Sequence, residues 1–119
     1  TGETEAARDQ FAEAMALEPA DAHLAREYAY LCHETRQTRT ARRVFDHLRK
    51  QGDAAAEEAY QNIDRPLAEG IARWTRAVEL APGNYSAHEE LAKLAETRDE
   101  IATAALHYEL AWKLRPEKR

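Results

Sequence analysis

Apolar positions recur every three or four residues along most of the chain, the period at which an α-helix turns one face toward a core. Ile101, Ala104, Ala105, Tyr108, Ala111 and Trp112 fall on one such stripe, and Ile71, Trp74, Val78 and Ala81 form another. The pattern predicts an all-α chain of about seven helices, over roughly 3–17, 21–34, 37–50, 53–63, 65–80, 84–97 and 100–114.

The residues between the stripes support these limits. Asp21, Asp53, Asp64 and Asn84 stand where a side-chain oxygen would accept a free backbone N–H at a helix start. Pro66 falls in a predicted first turn, where its missing donor costs nothing. Gly52 and Gly83 follow predicted helix ends, as C-terminal caps prefer. Pro19, Pro82 and Pro116 stop the helices after Leu17, Leu80 and Leu114.

A longer period lies over the helical one. A small residue, an aromatic four positions later and a downstream proline recur as Ala7, Phe11, Pro19; Gly70, Trp74, Pro82; and Ala104, Tyr108, Pro116. Ala41 and Phe45 make a further set without a proline, and successive aromatics are 34, 29 and 34 residues apart. The small residues let neighbouring helices approach closely, and the aromatics fill the space beside them.

With these anchors the chain resembles the tetratricopeptide family, whose repeat is about 34 residues of helix–turn–helix. The first-helix signature is matched in size by His88-x2-Leu91-Ala92-x2-Ala95 and by Ala25-x2-Tyr28-Ala29-x2-Cys32. The third repeat departs: its best fit, Ala56-x2-Ala59-Tyr60-x2-Ile63, slides by two positions in a shortened helix. The resemblance implies a right-handed superhelical solenoid of antiparallel hairpins in a single array. Its parts would be the second helix of an incomplete repeat over 1–19, a repeat over 20–52, a shortened one over 53–83 and another over 84–119. Each hairpin of such a stack buries its apolar face only against the next. The outer faces of the first and last helices, the latter with Leu106, Leu110 and Trp112, are therefore expected to be covered by further repeats or by self-association.

Composition narrows the function classes. The 119 residues are 44% apolar and 33% charged, as suits amphipathic helices with solvated faces. A formal net charge of −5 offers no general attraction for nucleic acid or an anionic membrane. No apolar run is long enough to cross a bilayer, and the amino terminus is unlike a signal peptide. A soluble protein is expected, its compartment unknown, and only the resemblance implies a bacterial cytoplasm or periplasm. The single cysteine excludes an internal disulfide and thiolate-based metal sites.

No constellation for catalysis emerges. His33-Glu34 begins like a zincin motif, but the residue three beyond Glu34 is Gln37 rather than a second histidine. His23 and His88 occupy matching hairpin positions and read as packing residues, whereas His107, near Glu109, reads as part of a solvated face. Cys32 shares a stripe with Tyr28 and Ala29 and reads as a small core residue. Trp74 and Tyr108 are repeat anchors and so core, and Tyr85 packs at a hairpin entrance. The basic segment with Arg36, Arg39, Arg42, Arg43, Arg49 and Lys50 reads as the outer face of a helix, with arginine stems covering apolar surface. No enzyme activity, cofactor or metal is expected.

The resemblance implies that the first helices of successive hairpins line a concave groove for an extended peptide. Carried onto this chain, that groove presents His23, Arg26, Glu27, Tyr30 and His33 from one helix and Ala55, Ala59 and Asn62 from the next. A third helix adds Ser86, Glu89, Glu90, Lys93 and Glu96. Tyr30 leaves the buried stripe of its helix and would anchor an aromatic or apolar side chain. The glutamates oppose the clamp of basic residues that relatives close around a terminal carboxylate. A protein segment of mixed or basic charge is the expected partner. The alternative is a structural spacer in a bacterial envelope protein of the exopolysaccharide-export or phage-receptor type, whose texture the Asn62–Ala68 stretch resembles.

Overall fold

The computed structural model describes residues 2–118. Six α-helices follow one another among these residues: α1 (Gly2–Leu17), α2 (Ala22–Glu34), α3 (Thr38–Lys50), α4 (Ala54–Leu80), α5 (Tyr85–Thr97) and α6 (Ile101–Leu114), with a 3-10 turn at Pro116–Lys118. Helix ends fall within about one residue of expectation almost everywhere. The proline stops are met: α1, α4 and α6 finish at Leu17, Leu80 and Leu114.

The exception is at Pro66. Two helices were expected over 53–63 and 65–80, and one unbroken helix of 27 residues runs through both, with Pro66 inside it. A proline in a helix interior costs about 3 kcal/mol through its absent donor and its ring. Opposing this, Tyr60 and Ile63 are buried just before it and Gly70 just after it. Asp64, expected as an N-cap, is itself only 8% exposed and binds Arg98 with Oδ1 2.9 Å from Nε. With its carboxylate engaged in that pair, no capped start forms at this point.

The chain forms two compact units, Thr1–Ile63 and Asp64–Arg119. In the first, α1 packs on α2 and α2 on α3, with a core of Ala29, Cys32, Ala41, Phe45, Leu48 and Tyr60. In the second, α5 packs on α6 around Leu91, Ala92, Ala95, Ala104 and Ala111. Small residues permit the close crossings, as the repeat pattern predicts. At Gly70 a Cβ would lie 2.8 Å from Leu94 Cδ1, so any side chain there requires that methyl group to shift.

The α2–α3 and α5–α6 hairpins are copies in a common register, offset by 63 residues (Asp21 against Asn84). The capping oxygens correspond, since Asp21 Oδ1 accepts from the His23 and Leu24 N–H groups and Asn84 Oδ1 from that of Ala87. The turns correspond as well. Gln37 N–H donates to Cys32 O at 2.7 Å and Glu100 N–H to Ala95 O at 2.8 Å, with Arg36 (φ 66°) and Asp99 (φ 63°) in the left-handed region. The α3–α4 turn closes in the same way, Asp53 N–H on Leu48 O, and there Gly52 (φ 93°) takes that position.

Candidate functional site

In the first unit, α2, α3 and α4 surround a cavity of about 230 Å³ lined by Tyr30, His33, Phe45, Ala59, Asn62 and Ile63. Tyr30 is 40% exposed, and its ring meets that of Phe45 edge-on at 5.0 Å and 64°. Phe45 is fully buried and fixes that ring from below. His33 Nδ1 lies 3.4 Å from Thr38 Oγ1, at the exposed end of α2. The result is a half-open apolar notch with an aromatic wall, an imidazole and an amide.

Four of the expected groove residues therefore converge: Tyr30, His33, Ala59 and Asn62. Others do not join them. Arg26 is held by Asp53, Nε to Oδ2 3.0 Å, at an angle that leaves the buried Nε–H without a hydrogen bond. Asp53 also accepts from Ala56 N–H and so caps α4. Arg26 thus ties α2 to the start of α4. His23 is exposed in the first turn of α2, and Glu27 is half-buried; neither lines the notch.

Ala55 is exposed and does not line the notch, and the other expected residues belong to the second unit and to its own network. Lys93 pairs with Glu89 at 3.4 Å and Glu90 at 3.8 Å. The Tyr85 hydroxyl donates to Glu89 at 2.6 Å, and that hydrogen bond raises the phenol's pKa. Tyr108 donates to Glu96 at 3.2 Å. These groups link successive turns of α5, or α5 to α6.

Several arrangements were missed by sequence reasoning. His88 is buried as expected, but it is bonded to His107, Nδ1 to Nδ1 2.9 Å, and so His107 is half-buried rather than on a solvated face. The signal was present: His107 stands three residues after Ala104 and four before Ala111, both buried. The basic segment is likewise not simply an outer face. Arg42 and Arg49 lie over the Tyr60 ring, 5.2 and 4.0 Å from its centroid, and Arg42 donates to the Tyr60 hydroxyl. Asp46 receives Arg49 and Lys50.

Cys32 is fully buried, and burial pushes its thiol pKa up, which suits a core residue and not a nucleophile. Among the described residues no cluster of three or more His, Cys, Asp or Glu side chains could hold a metal ion. No helix among them is long and apolar enough to cross a membrane.

No protein-family model matches the chain, and no curated protein matches it. Among solved structures it is similar to the MamA RS-1 ArsTM double mutant, at 22% identity over 98% of this chain and 68% of that one, with a TM-score of 0.46. At that score the likeness carries no functional weight.

Proposed function

We propose that this chain is a non-catalytic protein-interaction module of tetratricopeptide type, and that the notch of its first unit receives an apolar or aromatic side chain from a partner segment. The observation that carries this reading is Tyr30. A large aromatic held in place by Phe45, yet open to solvent beside a cavity, is the form that interface anchors take. His33 and Asn62 supply donors and acceptors for the backbone of an extended peptide. The partner is a protein of mixed or basic charge, not nucleic acid and not a bilayer. A photoreactive phenylalanine in place of His33 tests the site: cross-linking that disappears when Tyr30→Ala is added supports the reading, and cross-linking indifferent to Tyr30 opposes it.

A second reading is favoured by a specific observation. Arg26, Glu89, Lys93 and Glu96 all have partners within their own unit, as in a rigid spacer of an envelope protein that binds nothing itself. In either reading, exposed Leu106, Trp112 and Leu114 on α6 favour self-association through this helix. Light scattering that shows a concentration-dependent dimer, abolished by Leu106→Lys with Trp112→Lys, would support that contact.

A further inference from the structure

The two hairpin copies fill one equivalent space differently. In α5–α6 that space, between the start of the first helix and the body of the second, holds two rings. His88 and His107 stack with centroids 5.1 Å apart at 23°. His88 Nε2 lies 2.7 Å from Pro82 O, and a carbonyl only accepts, so the buried ring donates its N–H there. Sixty-three residues earlier in the same register stand Ala25 and Val44, with Pro19 in the place of Pro82. Met15 and Leu48 are larger than their counterparts Val78 and Ala111, yet they do not fill the room that both imidazoles leave. A cavity of about 340 Å³ remains, walled by Met15, Pro19, Ala25, Val44 and Leu48.

The charged groups around this cavity are already engaged. Asp21 Oδ1 accepts from the His23 and Leu24 N–H groups and so caps α2. Arg43 has an interaction partner of its own. Neither is free to balance a charge on a ligand, and a charge set against the apolar wall without a partner would be costly. The other polar lining side chains, His47 and Gln51, are exposed. A space of this volume with a mostly apolar wall matches small-molecule sites, and here the wall favours a neutral ligand.

We propose that this cavity binds a neutral, planar heteroaromatic molecule of the indole class. Its rings take the space that His88 and His107 fill in the other hairpin, and its ring N–H donates to the Pro19 carbonyl as His88 Nε2–H donates to that of Pro82. The second hairpin thus supplies the template for both the shape of the ligand and its one hydrogen bond. The site is separate from the Tyr30 notch and shares no lining residue with it.

The test is calorimetric titration of the whole chain with indole and with benzofuran, which has nearly the same outline and no N–H. One saturable site for indole is expected, with benzofuran bound about two- to tenfold more weakly, the worth of one hydrogen bond. Ala25→His with Val44→His rebuilds the plug of the other hairpin and should weaken indole binding at least about tenfold. Methyl NMR needs no variant: intermolecular NOEs from the indole ring to the Met15 and Val44 methyl groups of the wild-type chain are expected. Absence of saturation by indole would overturn the inference, as would benzofuran binding as tightly. So would unchanged affinity in a folded plugged variant, or NOEs confined to other methyl groups.

Discussion

His88 and His107 face each other across the α5–α6 hairpin with their Nδ1 atoms 2.9 Å apart, and only one of the two can supply the proton. His88 spends its Nε2–H on the Pro82 carbonyl, so in the neutral pair its Nδ1 must accept and His107 must donate. A second proton would set two N–H groups against each other. Burial, and then His88, lower the His107 pKa. The unfolded chain, whose histidines titrate near about 6.5, binds that proton more readily than the folded one. Stability contributed here is complete above that value and is lost as pH falls from it through the lower folded pKa. The urea midpoint should therefore drop between about pH 7.5 and 5, and His107→Gln should flatten the profile.

Left-handed residues at the turns make a paired prediction. Arg36 is exposed and holds φ 66° in the turn position that Gly52 fills with φ 93° after α3. A side chain in this region costs roughly 1 kcal/mol. Arg36→Gly should stabilise the chain by up to about that amount and Gly52→Ala should destabilise it similarly, as denaturant unfolding would show.

Gly70 sets a limit on the α4–α5 crossing. An alanine gains about 1 kcal/mol in helix propensity, yet its Cβ requires Leu94 Cδ1, 2.8 Å away, to withdraw. The two effects nearly cancel for Gly70→Ala. For Gly70→Val no such withdrawal suffices, and a loss of about 2 kcal/mol is expected. Thermal unfolding of the two variants separates them.

Asp64 and Arg98 form another internal tie of the second unit. Arg98 Nε and Nη2 reach the two Asp64 oxygens at 2.9 and 3.3 Å, and Nη1 reaches Glu100 at 2.9 Å. These bonds, that to Asp64 first, raise the Arg98 pKa and keep the guanidinium charged. Because Arg98 is one-third exposed, solvent screening reduces the value of the pair. Asp64→Ala should cost about 1–2 kcal/mol, and a double-mutant cycle with Arg98→Ala should recover part of it as coupling.

Local rules made most of the fold legible. Prolines marked the ends of α1, α4 and α6, and the spacing of Ala41 from Phe45 and of Ala104 from Tyr108 marked the packed faces. Pro66 misled because a helix-breaking residue was weighed against local propensity alone, whereas Tyr60, Ile63 and Asp64 beside it are buried and the backbone stays helical through it. Of the expected groove, Tyr30, His33, Ala59 and Asn62 were found from helix spacing. Arg26 and Lys93 were also visible as charges, but their partners lie on another element or a turn away, and residue type alone does not reveal them. Phe45, read as a repeat anchor, could not be placed beneath Tyr30 without the crossing angle of α2 and α3. The 340 Å³ cavity was hidden for a related reason, since it depends on Ala25 and Val44 facing a common void from different helices.

The most direct test of the interaction reading is the affinity of a peptide selected by display on the whole chain, measured against wild type, Tyr30→Ala and Tyr30→Phe. The account predicts binding at least about tenfold weaker for Tyr30→Ala and nearly unchanged for Tyr30→Phe, which keeps the ring on Phe45. Equal affinity for all three, with the helices intact, would contradict it.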